Sequence, residues 1–115
     1  MEITRIEEAR PYDAARHHGM TALQLHGGDG SSAQHLSVGL SHFLPSGGAE
    51  RSASPRERVY VVLQGEVTVT VEGEGEATLG PLDSCLIGAG EERTIENRTK
   101  LPVSMLVLMP QAEVK

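Results

Sequence analysis

Apolar and polar positions alternate in short bursts along this chain, and each burst ends at a glycine or proline. Breaks fall at Gly27-Gly28-Asp29-Gly30, Pro45-Ser46-Gly47-Gly48, Gln64-Gly65, Gly73-Glu74-Gly75, Gly80-Pro81, Gly88-Ala89-Gly90 and Leu101-Pro102. Between them lie runs rich in Val, Ile, Leu and Thr. Branched side chains fit a pleated, half-buried surface, and turns at this spacing predict an all-β sandwich or barrel of about eight to eleven antiparallel strands with little helix.

Within that pattern, Val59 to Leu63, a Gln64-Gly65 turn and Glu66 to Val71 read as a β-hairpin. Gly65 tolerates the positive φ of a tight turn, and Val67, Val69 and Val71 alternate with Thr68 and Thr70. Val103 to Met109 is apolar at nearly every position, as a strand in mid-sheet covered on both faces would be. Pro11 interrupts any helical reading of Ile6 to Ala15. Residues 1–20 therefore read as an N-terminal arm and 21–115 as a single barrel domain. A strand at Thr21 to Leu25 could add to a neighbour's sheet edge, which suggests a homodimer.

The chain's 115 residues suffice for one domain with its own core. Its aromatics are Tyr12, Phe43 and Tyr60, so that core must be aliphatic. A net charge of −6 without a basic stripe argues against nucleic acid as a partner. Apolar runs are far shorter than the roughly 20 residues that cross a bilayer, and no stretch resembles a signal peptide, so a soluble, cytoplasmic protein without a membrane partner is expected. Cys85, the single cysteine, reads as a small hydrophobe within a strand. The acidic turn Glu72-Gly73-Glu74-Gly75-Glu76 reads as a solvated loop.

Two segments carry the candidate chemistry. Ser52-Ala53-Ser54-Pro55-Arg56-Glu57-Arg58 is followed by Gly65, and Gly90-Glu91-Glu92-Arg93 by Asn97. This layout resembles the paired motifs of the cupin superfamily, H-x-H-x3-E-x6-G and G-x2-H-x3-N, over roughly residues 34 to 110. The glycines, Pro55 and Asn97 fit, whereas Ser52, Ser54, Arg58 and Arg93 stand in the four metal-ligand slots. Leu82 stands where the family has a Gly, and Gly88 where it has a Pro. The resemblance implies a cupin-type antiparallel β-barrel, also described as a double-stranded β-helix or jelly roll. Hydroxyls are poor transition-metal ligands and guanidinium repels a cation, so no metal and no other cofactor is expected.

In that family these slots face the barrel mouth, which would place two guanidinium groups where a divalent ion would sit. Buried cations need anions, supplied either by Glu50, Glu57, Glu91, Glu92 and Glu96 or by a bound ligand. The expected ligand is a small carboxylate-bearing molecule contacted by Ser52, Ser54, Arg58 and Arg93. The alternative is a metal-independent isomerase, epimerase or cyclase acting on a small organic acid, with His42, Glu50, Glu57 or Tyr60 carrying protons. Whether the protein is an enzyme stays open at this level. His35 and His42 lie an odd number of residues apart and His17 and His18 are adjacent, so neither pair should chelate from one strand face.

Overall fold

A computed structural model describes residues 1–111. After a short 3-10 turn at Ile6–Glu8 come nine strands: β1 (Arg10–Tyr12), β2 (His17–His26), β3 (Leu36–Ser52), β4 (Arg58–Gln64), β5 (Val67–Val71), β6 (Gly75–Leu79), β7 (Ser84–Ile87), β8 (Arg93–Glu96) and β9 (Val103–Pro110). They form one sheet in the order β6-β5-β8-β3-β9-β4-β7, with β2 also paired to β3 and β1 to β2. Every pairing is antiparallel. The sheet curls into a nearly closed barrel around Phe43, Ala49, Tyr60, Val62, Val67, Val69, Ile87, Ile95, Val103 and Met105.

Strand periodicity sorts the side chains into inside and outside. On β3, Ser41 and Phe43 are buried while His42 between them is only half-buried. Arg58, Tyr60 and Val62 share the inner face of β4, and Arg93 and Ile95 that of β8. β9 lies in mid-sheet, between β3 and β4, as its apolar sequence predicts. Among the described residues no helix is long and apolar enough to cross a membrane.

The expected hairpin at Gln64-Gly65 is not formed. β4 pairs with β7 and β9, whereas β5 pairs with β6 and β8. Alternation determines which face a residue presents but not which strand it meets, and Gly65, at φ 83°, turns a corner of the barrel instead. Its backbone packs so close to β9 that a methyl there would lie 2.7 Å from the Pro102 carbonyl oxygen. The real hairpin follows, β5 to β6 around the acidic turn, where Glu72 pairs with Arg51 and Glu76 with Arg98.

β2 begins at His17, running across the expected boundary at residue 20, and pairs along β3 of its own chain. The segment offered to a neighbour's edge is therefore already built into the sheet, with β1 on its outer side.

Asn97, only 1 % exposed, ties the turn before β9 to the middle of β3. Its Nδ2 donates to the carbonyls of Phe43 (3.2 Å) and Leu101 (2.8 Å). Its Oδ1 accepts from the Thr99 backbone N–H (3.0 Å) and hydroxyl (2.8 Å).

Leu82, at the position where the resembling family has glycine, sits at φ 70° and is 80 % exposed. A left-handed conformation costs a side-chain-bearing residue roughly 1–2 kcal/mol and costs glycine almost nothing. Leu82→Gly is therefore expected to stabilise the protein by about 1 kcal/mol, visible as a higher urea midpoint with an unchanged slope.

Candidate functional site: a cationic cavity in the barrel mouth

Inward-facing positions of β3, β4, β8 and β9, closed over by the segment leading into β2, enclose a cavity of about 160 Å³. Its floor and sides are Phe43, Ile95, Met105, Val107 and Met109; its polar groups are Ser41, Arg58, Tyr60 and Arg93, with Tyr12 and His17 from the N-terminal segment. That volume is close to the ~150 Å³ of an engineered cavity that accepts benzene.

Both arginines are in the barrel, Arg58 at 6 % and Arg93 at 4 % exposure. Arg93 is held from three sides: its Nε donates to the Tyr60 hydroxyl (2.9 Å), and its Nη1 to the Glu50 carbonyl (3.0 Å) and the Ser52 hydroxyl (2.9 Å). Arg58 is different. Its Nε and Nη2 are buried and have no hydrogen-bond partner. These two atoms form one edge of the guanidinium, the edge that meets both oxygens of a carboxylate in a bidentate pair. Burial pushes the Arg58 pKa down; the Tyr60 phenol opposes this, and the positive charges of Arg93 and Arg56 add to it.

The glutamates expected to neutralise these cations are engaged elsewhere or lie outside. Glu92 pairs with Arg51 and Glu96 with Arg98. Glu91 accepts from the Gly88 backbone N–H. The Glu50 side chain is exposed, its residue contributing only a backbone carbonyl, and Glu57 is exposed beside a shallow groove lined by Leu36, Val59 and Leu108. Among the described residues no ion pair reaches Arg58 or Arg93. The internal ion-pair network is thus replaced by an uncompensated pair of buried charges.

Other candidates separate in the same way. Tyr60 is a wall of the cavity. Ser52 reaches it only through Arg93, and the Ser54 hydroxyl accepts the Arg56 backbone N–H in a local turn (3.2 Å). His42 points away from the cavity, its Nδ1 2.9 Å from the Ser104 hydroxyl on neighbouring β9, because it differs by one residue from Ser41 and Phe43. His17, assigned to the arm on sequence, stands in the cavity wall instead and stacks on Phe43 with ring centroids 6.4 Å apart. No motif marks it, since it enters from a segment remote in sequence from both arginines.

A divalent metal does not fit this donor set. Among the described residues no group of three or more His, Cys, Asp or Glu could hold one, and two of the four family ligand positions carry buried guanidinium. Larger hollows beside the N-terminal segment are open. One of them is lined by Glu2 and Glu8, and Glu2 is already bonded to Ser31 and Ser32, whose donors hold its carboxyl down at about 2.

A nearly closed antiparallel barrel with a mostly apolar cavity at its mouth has the architecture of the jelly-roll class. The cupin domain family matches residues 39–109, and the chain belongs to it. Along 99 % of both chains it is 42 % identical to a β-D-galactosidase of Mycobacterium tuberculosis. The polyketide cyclase RemF of Streptomyces resistomycificus shares the fold with a TM-score of 0.87 and 16 % identity, over 97 % of this chain and 80 % of that one. KdgF from a Halomonas species does so with a TM-score of 0.79 and 14 % identity, over 97 % and 96 %. At such identities these structures speak for the fold alone.

Proposed function

We propose that the barrel mouth binds a small carboxylate-bearing molecule through Arg58 and Arg93, guanidinium taking the place a metal ion has in other barrels of this type. The observation that carries this reading is the unpartnered edge of Arg58: two buried N–H groups without an acceptor, on a residue that lines the cavity. Leaving a charged donor buried and unmade costs several kcal/mol, which a bound carboxylate would recover. Arg93 adds a second positive charge held rigid by three hydrogen bonds, and the apolar wall of Met105, Val107 and Met109 suits the body of a small acid.

A second reading, β-galactoside cleavage, is favoured by the full-length similarity to the mycobacterial galactosidase. Most glycosidases place two carboxyl groups about 5 to 9.5 Å apart across the scissile bond. No Asp or Glu is a wall of this cavity, so such chemistry would fall to Tyr60 and His17.

Thermal melts with acetate, pyruvate, benzoate and galactose, alongside a chromogenic β-galactoside assay, separate the two. The carboxylates are expected to raise the melting temperature, a ligand at 100 times its Kd adding roughly 2.7 kcal/mol. Galactoside turnover without any carboxylate response would replace the first reading by the second.

A further inference from the structure

The cavity contains a histidine whose proton is placed by the fold. His17 Nδ1 lies 2.8 Å from the carbonyl oxygen of Ala15. A carbonyl can only accept, so Nδ1 carries the hydrogen, and the lone pair of the neutral ring resides on Nε2. Among the described residues Nε2 has no hydrogen-bond partner, and the ring lies nearly parallel to Phe43, with 15° between the planes. Tyr60 supplies the complementary group. Its oxygen accepts from Arg93 Nε, so its own O–H is free to donate, and among the described residues it meets no acceptor. The residues lining one cavity thus include an arginine with an unpartnered guanidinium edge, a base of defined tautomer and a hydroxyl donor.

Resting on the carboxylate reading above, we propose that His17 is the base of a keto–enol proton transfer on small aliphatic 2-oxo acids. The substrate carboxylate lies on the Nε/Nη2 edge of Arg58, and the adjacent carbonyl oxygen on the Tyr60 hydroxyl. His17 Nε2 removes a proton from C3. The C–H electron pair forms the C2=C3 bond, and the carbonyl π pair moves onto oxygen as an enolate that the Tyr60 O–H and the Arg93 charge stabilise. Return of the proton from the imidazolium to C3 completes the cycle, with no change of oxidation state.

The surroundings keep the base in its working form. Burial lowers the His17 pKa; the Ala15 carbonyl opposes this, while Arg93, His18 and Arg58 add to it. Tyr12 and Tyr60 also face the cavity, and the Tyr12 phenol is pushed up by burial, so it stays neutral. The imidazole therefore loses its proton at a lower pH than an ordinary histidine, and exchange should rise with pH through a midpoint below the ordinary imidazole value of 6.5.

The test is proton NMR of pyruvate and 2-oxobutanoate in deuterium oxide, following loss of the C3 signal, with binding measured separately by calorimetry. Wild-type protein is expected to accelerate exchange and His17→Asn to slow it by about 100-fold or more, with pyruvate affinity unchanged. Asn is chosen because it retains a side-chain donor near Ala15; His17→Gln provides a second folded variant. His42→Gln, outside the cavity, should exchange like wild type. Pyruvate binding without accelerated exchange, or exchange that survives in both His17 variants, overturns the proposal while leaving the carboxylate pocket standing. Absence of pyruvate binding to the wild type removes both.

Discussion

Arg58→Met is expected to raise the melting temperature of the ligand-free protein while removing its response to small carboxylates. Arg58 is a buried cation without a protein anion, and its Nε and Nη2 lack any acceptor. Methionine follows the same path through the core with an unbranched, adaptable chain and no charge to desolvate. Replacing buried ionic groups by apolar ones of similar volume has stabilised other proteins by about 1 to 4 kcal/mol. In a domain of this size that is about 4 °C per kcal/mol. Few substitutions to a binding residue stabilise a fold while abolishing ligand recognition, so the two measurements together are diagnostic. A variant that melts lower than wild type would show that Arg58 supports the barrel rather than waiting for a ligand.

The opposite behaviour is expected at Asn97, where Asn97→Ala should cost about 3 to 5 kcal/mol by urea denaturation. A stranded buried polar group costs about 1 to 3 kcal/mol. The substitution removes both the donors to Phe43 and Leu101 and the acceptor that holds Thr99. Of the two carbonyls, the bond to Phe43 is buried and the bond to Leu101 only partly so, which leaves Phe43 the poorer access to replacement water. The remaining folded protein should still respond to carboxylates, since Asn97 is not a wall of the cavity. A loss below 1 kcal/mol would mean that the turn before β9 holds itself.

The contrast between these two residues explains what the sequence could disclose. Asn97, Gly65 and the turn glycines sit in a fixed rhythm because backbone geometry demands them, and that rhythm made the barrel and its family legible. Two of the four residues in the ligand slots were legible as positions: Arg58 and Arg93 do converge on one cavity, whereas Ser52 and Ser54 do not line it. What they would meet there was not. The five glutamates near them in sequence are turned outward by strand parity or held by Arg51, Arg98 and the Gly88 backbone. Proximity along the chain misled at His42 for the same reason. His17 was hidden because its place depends on β2 pairing with β3 in a register that brings it opposite Ala49, a fact no local pattern contains. The false hairpin at Gly65 has a related cause, since alternation is shared by every pair of strands that could have met.

The length of β3 has a consequence for how the molecule comes apart. This strand runs for 17 residues, with β2 along one edge and β9 and then β8 along the other. One backbone therefore belongs to both halves of the barrel, and no seam exists along which they could separate as independent foldons. Local opening is expected first at the edge strands β1, β6 and β7, each paired on one side only, and last at the walls that carry Ser41 and Phe43. A molecule held in the mouth is thus gripped by the globally cooperative part of the protein, and its release must proceed past the N-terminal segment rather than through a breathing of the barrel itself.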